Sequence, residues 1–280
     1  MKITALIEDT TNNHLLNSEK GLSIHIEREE DNLLFDTGVT GKFADNARQL
    51  GLDLTAVDAT VISHCHFDHA GGLRRFLEIN KTSPVYMCTN SHGYYYFKGF
   101  GFIKRNIGAD KNLFTDYTDR INLINEFKEI TRGTYIIKDI DLKYPLPAGS
   151  KYLYRKEGDR LVHDDFSHEQ MMVIRDDDGL IIFTGCSHHG VLNMVESTCK
   201  QFPDTKIKAV FGGFHFIGLP FFNHMAESKT SVENIGKKLL EYPIEKVYTC
   251  HCTGRKAYPI LKDVMGDRVE YFATGSSIEF

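Results

Sequence analysis

Three histidines and an aspartate occupy six consecutive positions of the stretch VISHCHFDHAGG, and they are His64, His66, Asp68 and His69. Imidazole nitrogens suit zinc, iron, nickel and copper, and a carboxylate oxygen extends the choice to manganese. Residues i and i+2 at the end of a strand project to the same side, so His64 and His66 can converge on one cation. Asp68 and His69 follow in the next turn, where they can serve a second cation close by.

Further histidines and cysteines stand at the ends of later apolar runs. Cys186 and His188 lie in TGCSHHG, His215 in GGFHF and His251 in CHCTG. At the end of its strand, His215 could donate a proton or bind an anionic group, and a purely structural role for it stays open. Cys252 alternates with His251, so its side chain is predicted to point away from the metals into the core, as are those of the other two cysteines that alternate with histidines.

The elements that must position these residues are short apolar strands and amphipathic helices. The pattern predicts strands at 3–9, 22–27, 32–38, 59–64, 84–88, 206–215, 246–254 and 268–275, and a pair joined by an Asp-Gly turn at 170–185. It predicts helices at 41–52, 71–80, 191–202, 231–242 and 256–265. Strands come in runs in each half with single helices between them, which favours two packed sheets flanked by helices over an alternating parallel sheet.

The middle of the chain, roughly 90–168, has a different composition. It opens with the aromatic and basic stretch SHGYYYFKGFGFIKR and continues as polar, loop-like sequence. We interpret it as an insertion within a single domain spanning 1–280, which could form a lid that stacks a flat ring and pairs with phosphate. An aromatic segment simply packed on the sandwich explains the same residues, so the substrate-binding residues stay open.

Composition limits the classes of partner. The 280 residues carry a formal net charge of −5 and no long basic run, which argues against nucleic acid or an anionic membrane surface as the main partner. No apolar stretch reaches the roughly 18 residues of a membrane span, and the N-terminus does not look like a signal peptide. A cytoplasmic protein with a small-molecule substrate is therefore expected, with six reduced cysteines and an open oligomeric state.

Taken together, LLFDTG, VISHCHFDHAGG, IIFTG and CHCTG resemble the metallo-β-lactamase fold superfamily, whose signature is H-x-H-x-D-H. EKGLSIHIE, TGCSHHGVLNMVE and VFGGFHF make the resemblance closer to the metal-dependent hydrolases related to dihydropterin ribofuranosyl-aminobenzene phosphate synthase. The likeness covers most of the chain and is weakest over about 90–165. It implies an α/β (α+β) fold, a four-layer αββα sandwich, with a dinuclear site at one edge between the sheets.

The resemblance also implies roles for individual residues. His64 and His66 match the ligands of the first metal, and Asp68, His69 and His251 match those of the second. Asp36 in LLFDTG matches an aspartate that orients a metal-binding histidine. The third ligand of the first metal is His188 by likeness to the closer branch or His168 by likeness to the wider superfamily. We favour His188.

Cys186 departs from the superfamily pattern, in which an aspartate that bridges both metals stands at this position. A thiolate there favours zinc or iron over magnesium or manganese. We expect two divalent metal ions, with zinc preferred and iron or manganese open. Direct ligation by the Cys186 sulfur is one possibility. The alternative is a buried thiol that only lines the site.

These residues predict a hydrolase in which a metal-activated water attacks a small substrate, phosphorylated or heterocyclic by likeness to the closer branch. Asp68 would share the proton of that water as well as bind metal, so Asp68 and His215 are the candidate catalytic residues. Hydrolysis of thioesters, lactones or phosphodiesters on the same fold is an alternative. A non-catalytic redox or metal sensor built on Cys186 is another.

Overall fold

The computed structural model of the chain describes residues 1–219 and 224–280. The strands in chain order are β1 (Lys2–Ile7), β2 (Ser23–Glu27), β3 (Asn32–Phe35), β4 (Ala59–Val61), β5 (Val85–Cys88), β6 (Tyr95–Gly99), β7 (Ile103–Asn106), β8 (Ile121–Ile124), β9 (Lys128–Thr131), β10 (Thr134–Ile137), β11 (Leu153–Glu157), β12 (Arg160–His163), β13 (Met171–Asp176), β14 (Gly179–Phe183), β15 (Ile207–Gly212), β16 (Ile244–Thr249), β17 (Val269–Tyr271) and β18 (Ser277–Glu279). The helices are α1 (Lys42–Gln49), α2 (Phe67–Ala70), α3 (Leu73–Ile79), α4 (Leu113–Asp116), α5 (Val191–Gln201), α6 (Lys229–Glu241) and α7 (Ala257–Met265).

Two seven-stranded sheets form the centre of the fold. The first has the order β18-β1-β2-β3-β4-β5-β8 and the second the order β17-β16-β15-β14-β13-β10-β9. Their facing sides are apolar and share one core, in which the rings of Phe35 and Phe183 lie 5.6 Å apart between centroids. Burial of these aliphatic and aromatic faces is the main force that holds the two sheets together.

Helices cover the outer face of each sheet. The buried side chains of α1 and α3 belong to one core cluster with the first sheet, and those of α5, α6 and α7 belong to another with the second. In α6 the apolar residues Val232, Ile235 and Leu239 recur at helical spacing and pack inward, as an amphipathic helix requires. The predicted αββα sandwich is therefore confirmed.

The segment 90–168 contributes to more than one layer. Strand β8 pairs with β5 at the outer side of the first sheet, and β10 and β9 extend the second sheet beyond β13. Strands β6, β7, β11 and β12 form a separate four-stranded sheet with the order β12-β11-β6-β7. This small sheet touches the loop of the opening motif, where Phe67 donates its backbone N–H to the Ile107 carbonyl at 2.7 Å.

Several predicted strands end earlier than the sequence suggests, and two of them end before a candidate site residue. The strand predicted at 206–215 stops at Gly212 and the one predicted at 246–254 stops at Thr249. His215 and His251 lie just beyond, with φ values of 52° and 48° that no strand residue adopts. His215 therefore lies in the loop after β15, and His251 begins a short 3-10 helix (His251–Thr253) after β16. In the described part of the chain, no helix has the length and apolar character of a membrane span.

Candidate metal centre

The candidate site lies where the ends of several parallel strands meet. Strand β4 runs parallel to β3, and β14, β15 and β16 are parallel neighbours in the second sheet. Loops that leave the carboxyl ends of parallel strands emerge at the same edge of a sheet. This brings the opening motif, which follows β4, against loops that are more than a hundred residues away in the sequence.

His64, His66 and His188 form the first group of possible ligands, with one ring nitrogen of each within 4.8 Å of the others. The Nε2 atoms of His64 and His188 face each other at 3.1 Å. The ring of His188 stacks on Phe166, with centroids 4.7 Å apart and planes 5° apart, which fixes its orientation. Buried His66 Nε2 and His188 Nδ1 have no hydrogen-bond partner among the described residues.

Asp68, His69 and His251 form the second group, again within 4.8 Å of one another. The Nε2 atoms of His69 and His251 face each other at 3.3 Å, and the Asp68 carboxylate lies 3.6 Å from His251 Nε2. Both rings are fully or almost fully buried. Two imidazole nitrogens and a carboxylate oxygen thus converge on one point from the opening motif and the loop after β16.

Two carboxylates, buried Asp36 and half-buried Asp9, orient the histidines of the second group. Asp36 accepts a hydrogen bond from His69 Nδ1 at 2.6 Å, and Asp9 accepts one from His251 Nδ1 at 2.5 Å. In each ring the carboxylate thereby holds a proton on Nδ1, which directs Nε2 toward the position where a cation would bind. Asp36 is where the resemblance implies an orienting residue.

Asp9 is missing from the residues singled out in the sequence. It follows the apolar strand β1 as the second acid of IEDT. Asp36, which was identified by the resemblance, likewise follows a buried strand, so an acid after such a strand is a signal that could have found Asp9. Glu169 was also missed: its carboxylate accepts the backbone N–H groups of His188 and His189 at 2.7 and 2.8 Å and so shapes the loop that carries His188.

His168 lies behind the first group instead of facing it. Its Nε2 atom is 3.1 Å from an Asp164 carboxylate oxygen, and its Nδ1 atom accepts the backbone N–H of Cys65 at 3.3 Å. With both nitrogens engaged, His168 is less available to a cation than His188. The geometry therefore favours His188 as the third member of the first group.

Cys186 stands between the two groups. Its sulfur is 3.1 Å from His69 Nε2, and together with His64 and His69 it forms a further set of close donors. Cys252 was predicted to point into the core, and this is wrong: its side chain lines the same cavity as Cys186 and His215. The strand ends before Cys252, at Thr249, so strict alternation of side chains no longer applies there.

The charges of the two groups differ. Burial, reinforced by the neighbouring histidines, lowers the pKa of His64 and of His188, so both rings are neutral and carry free lone pairs. Burial also disfavours a charged His251, but the carboxylate of Asp9 outweighs it and raises the pKa of His251 to about 10. Burial would raise the pKa of Asp68, yet nearby His69 and His251 lower it to about 2. A cation at the second group would therefore displace a proton from His251.

A cavity of about 280 Å³ opens onto these residues. One wall carries polar and sulfur-bearing side chains from both groups, and the opposite wall carries Phe97, Ile103 and Leu153 of the small sheet. A second hollow of about 270 Å³ adjoins it and shares Lys20 and His251. A small molecule in the larger cavity can thus contact residues of both groups.

Comparison with known proteins identifies the family. The family model described as the metallo-beta-lactamase superfamily matches residues 19–251. A curated relative, the 7,8-dihydropterin-6-methyl-4-(beta-D-ribofuranosyl)-aminobenzene-5'-phosphate synthase of Methanocaldococcus jannaschii, is 30% identical and covers 100% of this chain and 97% of its own length.

Solved structures agree with this assignment. Tm1679, described as a metal-dependent hydrolase of the beta-lactamase superfamily, superposes with a TM-score of 0.83 at 30% identity, covering 100% of this chain and 99% of its own. The metallo-beta-lactamase fold protein YhfI of Bacillus subtilis shares the fold, with a TM-score of 0.59 at 13% identity over 100% of this chain and 98% of its own. The chain belongs to the metallo-β-lactamase superfamily.

Proposed function

We propose that this chain is a metal-dependent hydrolase that holds two divalent cations and acts on a small anionic substrate. The observation that carries the proposal is the pair of facing nitrogen contacts, His64 to His188 at 3.1 Å and His69 to His251 at 3.3 Å. Two nitrogens that share one tetrahedral zinc ion at roughly 2.0–2.1 Å lie about 3.3 Å apart. The donor spacing therefore fits one cation in each group.

The metallo-β-lactamase fold implies binding of divalent metal, and the donor chemistry of the site agrees with it. Nitrogen, carboxylate and sulfur donors together favour zinc, with iron as the next choice. Divalent cations bound there would polarise a substrate oxygen and lower the pKa of water, which is the chemistry that hydrolysis requires. We propose Cys186 as a ligand between the two groups, because its sulfur lies 3.1 Å from His69 Nε2.

The chain's own residues supply the remaining functions. Asp68 is anionic at neutral pH, is half-buried and lines the cavity, so its carboxylate can accept a proton from water beside the second group. The apolar side chains of Phe97 and Leu153 on the opposite wall limit access of bulk water. Proton donation by His215 stays a prediction from the sequence.

Positively charged side chains without a carboxylate partner line the cavity and its neighbouring hollow, and they support an anionic substrate. Lys20 lines both hollows, Arg105 lines the cavity and Arg255 lines the second hollow. Within the described residues, none of these three has a carboxylate within 4.0 Å, whereas Arg74 on the surface pairs with two. In a chain of net charge −5, cations left free beside a cavity favour phosphate or carboxylate. The curated relative, whose name includes a pterin and a 5'-phosphate, supports an aromatic phosphate.

Joint replacement of His64 and His66 by alanine tests the metal-dependent activity. The variant should bind less metal than the wild type and should lose turnover on a panel of phosphate monoesters, phosphodiesters, lactones and thioesters. His92→Ala, which changes an exposed histidine, is the control. An unchanged metal content in the double variant would contradict the ligand assignment. A wild-type chain that binds metal but turns over no member of the panel would favour a sensor.

Replacement of Lys20 and Arg255 by glutamine tests the substrate class. Charge-assisted hydrogen bonds contribute about 1.5–3 kcal/mol, so KM for an aryl phosphate should rise roughly 10- to 100-fold while kcat changes little. Lys256→Gln is the matched control, because Lys256 is exposed next to Arg255 but lines neither hollow. Equal KM values in all these variants would contradict an anionic substrate at this position.

A further inference from the structure

Three donor side chains on the cavity wall meet outside the two groups that contain the opening motif. The sulfurs of Cys186 and Cys252 and one ring nitrogen of His215 lie within 4.8 Å of one another. Each residue follows the carboxyl end of a different strand, β14, β15 and β16, which are parallel neighbours. The second sheet alone therefore assembles this set, whereas the two other groups need the loop after β4 of the first sheet.

The backbone is shaped to admit the Cys252 sulfur. A Cβ atom at Gly213 would lie 2.4 Å from that sulfur, so only glycine fits there. The backbone N–H of His215 donates to the same sulfur at 3.2 Å. Sulfur is thus oriented by the loop after β15, and it faces the cavity where a cation could reach it.

The His215 ring lacks partners of its own. Both ring nitrogens are buried, and neither has a hydrogen-bond partner among the described residues. Gly149 packs against the ring, since a Cβ atom there would lie 3.0 Å from Nε2. Burying both ring nitrogens without hydrogen bonds raises the free energy of the folded state. A cation bound to one of them would offset this cost.

We propose that Cys186, His215 and Cys252 form a third cation site, selective for a soft divalent ion such as zinc or ferrous iron. Two thiolates and an imidazole exclude magnesium, calcium and manganese as preferred ions. Three protein ligands leave the fourth tetrahedral position open, and here it faces the cavity. The Cys186 sulfur is also the ligand proposed between the two histidine-containing groups, so the third site would share it with them. Occupation of the third site does not depend on the hydrolytic activity proposed above. The His215 nitrogen that binds the cation could not also donate a proton, so it would be excluded from the catalytic role considered for this residue.

Cadmium binding by the reduced, metal-free full chain tests the proposal. Bound ions are counted by mass spectrometry, and thiolate ligation is followed by the ultraviolet charge-transfer absorption of cadmium–sulfur bonds. Cys252→Ser and His215→Gln should each bind one cadmium ion fewer than the wild-type chain, and Cys252→Ser should also lose part of the absorption. Cys199→Ser, which removes a partly exposed thiol on α5, should match the wild type in ion count and in the absorption that remains at saturation.

The outcomes separate this site from the two histidine-containing groups. The variant that lacks His64 and His66 should keep the ion bound by Cys186, His215 and Cys252 and most of the thiolate absorption, whether or not it retains activity. If Cys252→Ser and His215→Gln bind as many ions as the wild type with undiminished absorption, the third site does not exist. Circular dichroism shows whether each variant is folded, and His215→Gln, at a partly exposed position, keeps the test open if Cys252→Ser does not fold.

Discussion

Replacing Asp36 by asparagine should weaken metal binding at one group of donors far more than at the other. Asp36 is fully buried and accepts three hydrogen bonds, from Ser63 N at 2.7 Å, Ser63 Oγ at 2.7 Å and His69 Nδ1 at 2.6 Å. In the asparagine variant an NH₂ group would face the Nδ1–H of His69. The ring would then move its proton to Nε2, the atom that faces Cys186 and His251.

The expected magnitude follows from that proton shift. Loss of an orienting hydrogen bond costs 10- to 100-fold in metal affinity, or about 1.4–2.7 kcal/mol. The loss falls on the group with Asp68, His69 and His251, because His64 Nδ1 is still held by Ser63 Oγ at 2.9 Å. The free energy of unfolding should also fall by about 1.5–3 kcal/mol for each hydrogen bond to charge that is lost.

Isothermal titration calorimetry with zinc measures the affinities of the two histidine-containing groups separately. Asp31→Asn is the matched control, since Asp31 is a buried carboxylate that pairs with Arg28 at 3.4 Å and touches no histidine ring. Its zinc affinities should equal those of the wild type. A folded Asp36→Asn protein that binds zinc as tightly as the wild type at both groups would refute the reasoning that Asp36 sets the tautomer of His69.

Two further predictions concern stability. Gly72→Ala would place a Cβ atom 2.2 Å from the Thr37 carbonyl oxygen, so thermal denaturation should show the free energy of unfolding falling by about 1–3 kcal/mol or more. The control is Gly51→Ala, whose Cβ atom would meet open space. It should cost about 1 kcal/mol through the positive φ alone. Burial lowers the pKa of His25, so the unfolded chain binds this proton first and the stability that depends on a neutral His25 is lost as pH falls below about 6.5. As the pH falls from about 7 to 5.5, urea denaturation should show His25→Met gaining stability relative to the wild type, by up to 1.36 kcal/mol per pH unit. His14→Gln, which changes an exposed histidine, should follow the wild type. If the free energy of unfolding of His25→Met changes with pH in parallel with that of the wild type, the assignment is contradicted.

The sequence predicted most elements of the sandwich because its apolar runs have the period of the structures they form. The hairpin at 170–185 is an example, with β13 and β14 antiparallel around a turn at Asp177 and Asp178. The middle segment was harder, since β8, β9 and β10 are each only four residues long and lie at the outer side of the large sheets. Their pairing depends on neighbours that are distant in the sequence.

Local spacing by itself determined the opening motif, because four donors within six residues must lie close together whatever the rest of the chain does. Asp36 was identified by the resemblance to the superfamily and not by spacing. Only the tertiary structure decided that His188 and not His168 faces His64, and that Cys252 turns toward Cys186. The physical reason is that these side chains leave loops with left-handed or irregular backbone, at φ values such as 56° for Ser187 and 48° for His251. There the alternation of a strand no longer fixes direction, and packing between the two sheets does.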